Sequence, residues 1–267
     1  MASSYSLSLP AVDVLAQTLD VNIRQFPFEI PYFGEYVRDR QRIAREVFVD
    51  LSRRGLVRDG DIDPELTRAL RTLSEYVITV SVMGTVAKDR KIYARAAAAG
   101  ETGVLAVREA DSLRLDLIRP TALAMTLVGL LPTMGSGPGQ SVTLTLPSAG
   151  NQQAPDDILA PIHHGRTGDE QQLRLAESYL ARPRTGTGLF TVSGRDRRTG
   201  KELHAGHLSW IDTDAGRYLV LVRPPGEDGQ VRSTFSPADT ARFTHQLGEL
   251  IESVVPRAGS VPARDGW

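Results

Sequence analysis

This 267-residue sequence predicts an α+β fold, an antiparallel sheet with helices arranged as two repeated units. Three observations carry the expectation. Four closely spaced β-type segments follow three helical ones, and connections that short favour an antiparallel meander. The same order of elements returns after residue 136. A 41% hydrophobic content is enough to bury a sizeable core.

Residues 5–9, YSLSL, alternate as a short strand does, and Pro10 suits the first turn of a helix with Val12, Leu15 and Leu19 on one face. Glu35–Arg54 reads as a second helix, with Tyr36, Ile43, Val47 and Leu51 at helical spacing and Gly55 as its stop. Asp63, Pro64 and Glu65 supply a cap, a first-turn proline and an early acid ahead of Leu66, Leu70 and Leu73, the signature of a third helix. From Tyr76 the period changes to that of strands: YVITVSVMG, RKIYARAAAAG, GVLAVREA and SLRLDLIR. Pro120 then opens the helix TALAMTLVGLL.

After GSGPG the pattern restarts. QSVTLTLP echoes YSLSLP, a helix-like run covers Asp169–Arg182, and four strand-like segments follow: GLFTVSG, KELHAGHLSWI, GRYLVLVR and QVRSTF. Within them, Val107-Arg108 and Val222-Arg223 occupy the same place in the order. Ser236 and Pro237 open the last helix, with Phe243, Leu247, Leu250 and Ile251 at helical spacing. The expectation is one domain over residues 1–255, with half-repeats at about 1–136 and 137–255. Residues 148–168, rich in Gly, Pro, Asn and Gln, read as a loop, and 256–267 as a disordered tail.

Charge and composition narrow the function. With 31 basic and 32 acidic residues there is no net field for a phosphate backbone, so nucleic acid is not expected as a partner. No cysteine is present, which removes disulfides, thiolate catalysis and thiolate metal sites. The N-terminus lacks the pattern of a secretory signal, and the longest apolar run, Ala122–Leu131, is too short to span a bilayer. A cytoplasmic protein without membrane insertion is expected.

Candidate chemical motifs fail on particulars. GSGPGQS has no lysine where a Walker loop needs one, and the dinucleotide fingerprint fails on glycine spacing and on the strand that follows. Asp59, Asp61 and Asp63 begin like a calcium loop, but Pro64 stands where glycine is needed and Leu70 where the bidentate glutamate belongs. His163 and His164 are adjacent in the loop-like stretch. His204 and His207, three apart on a strand, should point to opposite faces and so fail as a metal pair. No GxSxG or HExxH occurs. Neither catalysis, a cofactor nor a metal is indicated.

What remains suits protein recognition. The turn Arg195–Lys201, with Arg197 and Arg198, is strongly basic, as is its first-half counterpart Gly84–Lys91, with Val86, Lys88, Asp89 and Arg90. Phe190, Trp210, Phe243 and Leu247 fit either a core or an apolar contact surface.

DPELTRAL, RKIYARAAAAGETGVLAVR, LVGLLP, GSGPGQSVTLTLP and DTDAGRYLVLVR, in this order and spacing over about residues 5–254, resemble the EspG family of ESX secretion-associated proteins of actinobacteria. The resemblance implies an α+β fold with a central antiparallel sheet, helical bundles and two quasi-symmetric halves. It also implies a cytosolic, non-enzymatic chaperone of type VII secretion that binds a PE-PPE heterodimer and keeps it soluble. By position in the element order, contacts would come from the loop at about Gly84–Lys91 and from the helices Asp169–Arg182 and Pro237–Val254. An enzyme or small-ligand binder with a site between the halves is the alternative, and homodimerisation stays open.

Overall fold

The computed structural model describes residues 3–87, 90–147, 174, 175, 177–179, 181–196, 199–223 and 229–255. Strand β1 (Ser4–Ser8) leads directly into α1 (Leu9–Leu19), because Ser8 Oγ accepts from the Ala11 amide at 3.3 Å and Pro10 sits in the first turn. Helix α2 (Val37–Arg53) starts two residues later than its apolar spacing suggested, since Tyr36 is extended and provides no side-chain cap. Gly55, at φ +72°, ends it as expected, with Leu56 N donating to Leu51 O at 2.8 Å.

A hairpin absent from the sequence reading follows, β2 (Val57–Arg58) and β3 (Asp61–Ile62), turning through Asp59 and Gly60, both at positive φ. Helix α3 (Pro64–Ser74) is capped as expected by Asp63, whose Oδ1 accepts from the amides of Glu65 and Leu66 at 2.9 Å each. The first meander is β4 (Ile78–Val86), β5 (Arg90–Ala99), β6 (Thr102–Glu109) and β7 (Ser112–Ile118). A short 3₁₀ turn at Pro120–Ala122 and α4 (Leu123–Val128) close the first half. The second contains β8 (Val142–Pro147), β9 (Arg184–Arg195), β10 (Glu202–Thr213), β11 (Gly216–Val222), β12 (Gln230–Pro237) and α5 (Thr240–Ser253).

Among the described residues, ten strands form one antiparallel sheet in the order β1-β7-β6-β5-β4-β9-β10-β11-β12-β8. Read outward from the β4–β9 pair, each side carries four meander strands and then the half's opening strand. A pseudo-twofold axis through the β4–β9 junction therefore relates the two sides. The YSLSL and VTLTL echo survives in space, for Leu7 and Leu144 are both fully buried on the same sheet face. The Val107 and Val222 echo does not: Val107 packs with the α4 and α5 cluster, Val222 with the cluster on the other face.

One face, called here the bundle face, carries α1, α2 and α3 over β1, β7, β6 and β5, with Leu15, Leu51, Leu66 and Leu70 packed against Leu113, Leu115, Val104 and Ala97. Farther along the same face, Tyr179 packs on Val142, Leu144, Ile211, Tyr218, Val220 and Phe235. The opposite face carries α4 and α5, which meet over the centre of the sheet on Val82, Ala94, Ala96, Phe190, Leu208 and Trp210. The alanine run of β5 lets these helices approach closely.

Candidate functional site

The residues expected to meet a partner fall into three groups. Val86 and Arg90 pair across the start of the β4–β5 hairpin, Val86 fully buried and Arg90 and Lys91 exposed. Lys88 and Asp89 lie outside the described residues, as do Arg197 and Arg198 of the β9–β10 hairpin. That second hairpin is closed by Asp196, whose amide donates to Lys201 O at 2.9 Å and whose carboxylate accepts from Thr199 N at 2.9 Å. Its Arg195 has an internal role. The guanidinium lies 4.3 Å from the centre of the Tyr76 ring and donates to its hydroxyl at 3.1 Å, while that hydroxyl donates to Glu202 at 2.7 Å. Burial, then Glu202, pushes the Tyr76 hydroxyl above its ordinary pKa, with Arg95 and Arg195 opposing.

The two hairpins do not form one surface. Strands β4 and β9 are antiparallel, with Ile78 opposite Gly194 and Thr85 opposite Thr187, so the tips leave opposite ends of the sheet. Eight residue steps along β4 separate them by roughly 27 Å.

The third group is corrected outright as a contact surface. Phe190, Trp210, Phe243 and Leu247 are fully buried, along with Val86. Phe190 sits 5.4 Å from Trp210 and 5.1 Å, edge to face, from Phe243, forming the aromatic centre of the core under α5. Trp210 fits because Gly84 and Gly188 flank it across the strands; a Cβ on either would come within 2.6 or 2.1 Å of the indole.

The glycine-rich stretch is a docked seam. Gly137 N donates to Arg217 O at 3.0 Å, Arg217 N to Gly135 O at 2.9 Å, and Gln140 N to the Tyr179 hydroxyl at 3.0 Å. Amides committed in this way have nothing to offer a phosphate. Beneath the seam Arg217, fully buried, makes a bidentate pair with Asp212 at 2.6 and 2.9 Å and donates to Pro132 O at 3.0 Å. These two residues belong to the DTDAGRYLVLVR phrase.

The histidines need a correction. Ser193 is opposite His204 and Thr191 opposite His207, so three residue steps on β10 match two on β9. A bulge at Ala205-Gly206 absorbs the extra residue, and both imidazoles lie on the bundle face. Burial, with His204 as the second cause, holds the His207 pKa below its ordinary value. His163 and His164 are outside the described residues.

Open grooves among the described residues flank the sheet. One, of about 530 Å³, runs between the β10–β11 pair and α5, with Leu203, Ala205, Leu221, Leu250 and Val254 as apolar walls and Arg223 and Glu249 among its polar ones. Another, of about 470 Å³, lies beside α3 among Arg68, Arg71 and Glu75. Among the described residues no group of three or more His, Asp or Glu could hold a metal ion, and no helix is long and apolar enough to cross a membrane.

The sequence model of the EspG family matches residues 8–249. No curated protein sequence matches the chain. Among solved structures, that of the Mycobacterium tuberculosis type VII secretion system chaperone EspG5 in complex with the PE25-PPE41 dimer contains a chain of the same fold, with TM-score 0.66, 12% identity, and 96% of this chain and 98% of that chain covered.

Proposed function

The chain belongs to the EspG family, and on that footing we propose that it is a cytosolic, non-enzymatic chaperone of type VII secretion that binds a PE-PPE-type heterodimer. The observation that carries the reading is the family match over residues 8–249, supported by end-to-end likeness of fold to a chaperone solved with such a dimer. The mechanism is physical: an apolar tip on a secretion substrate aggregates unless covered, and an apolar patch rimmed by charge covers it until transfer. Discrimination among substrates comes from the rim, where an unmatched charge costs more than a matched one gains.

The contact region is the β4–β5 hairpin end of the sheet on the bundle face. Lys91, Thr85, Thr187, Ile211 and Tyr218 lie in one transverse row, and Tyr179 stacks on Tyr218 at 4.8 Å. The hairpin and the helical residues 177–179 thus share one end and one face. Helix α5 packs on the other face. Arg90 and Lys91, exposed, and Lys88 and Asp89 of the same loop supply the rim.

Co-expression with PE-PPE pairs, followed by size-exclusion chromatography, tests the reading. A stoichiometric complex that keeps the PPE-type protein soluble is expected. If no pair from the source organism co-purifies, the assignment fails.

A further inference from the structure

Strand geometry alone sets His204 and His207 apart, and the bulge between them reverses that. Gly206 adopts φ +105°, a conformation side-chain-bearing residues rarely take, so the bulge is written into the sequence. Opposite the two histidines stand Ser193 and Thr191, which are two apart on β9 and share a face. His204 and His207 therefore have the spacing of alternate residues on a strand, about 7 Å between backbones. Two imidazoles so placed can converge on one ion at nitrogen–metal distances of about 2.0–2.1 Å.

The ring environments fit ligation. His204, an exposed residue, has its Nδ1 hydrogen-bonded to Ser193 Oγ at 2.8 Å, which fixes the ring and leaves Nε2 as the ligand atom. His207 buries its Nδ1 without a hydrogen bond, and among the described residues no hydrogen bond reaches Nε2 of either ring. Neighbouring charges are engaged: Glu202 accepts from Tyr76, Arg195 lies over the Tyr76 ring and donates to its hydroxyl, and the Arg95 guanidinium donates to Ser81 Oγ on β4 at 2.9 Å, two strands from β10.

We propose that His204 and His207 form a two-histidine site for a borderline transition-metal dication, with zinc as the type, oriented by Ser193 and completed by water. With two protein ligands and, among the described residues, no third acid or histidine in reach, binding is readily reversible. The site stands apart from the β4–β5 end assigned to the partner, so its test is independent of that assignment.

The probe is zinc ion alone, titrated calorimetrically into the full chain after chelator treatment, with cobalt absorption as a second readout. Saturable binding of a single equivalent is expected. H204Q, at an exposed position, and H207Q should each abolish it; S193A should weaken it about tenfold by freeing the His204 ring; H163Q/H164Q should leave it unchanged. Deleting Gly206 restores regular pairing and should also remove binding, circular dichroism confirming that the variant folds. Absence of saturable binding, its survival in H204Q, or its loss only in H163Q/H164Q would each overturn the site.

Discussion

At the scale of single residues, polar groups taken out of water are the most demanding feature of this molecule. Arg217 and Asp212 are both buried, and each leaves the other uncompensated if removed. Truncating one partner of such a pair typically costs about 3–5 kcal/mol, whereas replacing both with apolar side chains of similar volume is close to neutral. R217M should therefore lower the urea midpoint strongly, and R217M/D212L should recover most of the loss; equal destabilisation by the single and double variants would show that the pair is not the cause. Asp13 plays a similar part in the first half, buried against Arg24 and Arg40 and accepting from Phe33 N at 3.0 Å. His207 makes stability depend on pH. Its folded pKa lies below the unfolded value, so the native state binds fewer protons than the unfolded chain. Its contribution is complete above the unfolded pKa of about 6.5 and declines as pH falls through that value. Urea melts in chelator at pH 7.5 and 5.5 should show a lower midpoint in acid, and H207Q should shrink the difference.

At the scale of elements, the local period was legible and the long-range pairing was not. Proline and acidic caps announced α1 and α3, and alternation announced every meander strand, because those signals lie within a few residues of one another. The β2–β3 hairpin was missed: two-residue strands carry no period, and the Asp59-Gly60 turn was the one signal available. The bulge in β10 was missed because its count is set by β9, a different segment, although Gly206 marked the spot. Trp210 and Phe190 remained ambiguous for a related reason. Whether an aromatic residue on a strand is covered depends on helices far along the chain, here α4 and α5. The glycines of β4 and β9 were the unread clue, since a cross-strand Gly84–Gly188 pair makes room for a large neighbour. G188A should cost about 1–3 kcal/mol through overpacking. The new methyl meets the indole at 2.1 Å and the Met83 carbonyl oxygen at 2.4 Å, so the ring and the β4–β9 pairing must both shift and the tryptophan emission of the native state should move to the red; an unshifted spectrum at unchanged stability would mean that neither contact is forced.

At the scale of the whole molecule, the pseudo-twofold axis decides which parts can act together. Duplication made the two basic hairpins look like one repeated feature, but a twofold axis between β4 and β9 sends equivalent features to opposite ends of the sheet. Family resemblance pointed to the first-half loop without saying that its counterpart was out of reach, a fact that only the β4–β9 pairing reveals. The same symmetry separates the apolar groove beside α5 from the β4–β5 end. A partner seated at the β4–β5 end is therefore insensitive to charge at the other. K88E/R90E should slow association with the PE-PPE-type partner about tenfold at low salt, with the difference fading as ionic strength rises, as expected for exposed rim charges. R197E/R198E should leave the association rate unchanged while preserving the fold, since the end of β9 at Arg195, which precedes both in the chain, is at the opposite end of the sheet from the β4–β5 hairpin. Stopped-flow or biolayer measurements across a salt series separate the two cases. If R197E/R198E slows association and K88E/R90E does not, the partner sits at the opposite end, where the groove between β10–β11 and α5 opens, and the orientation proposed for the complex is reversed.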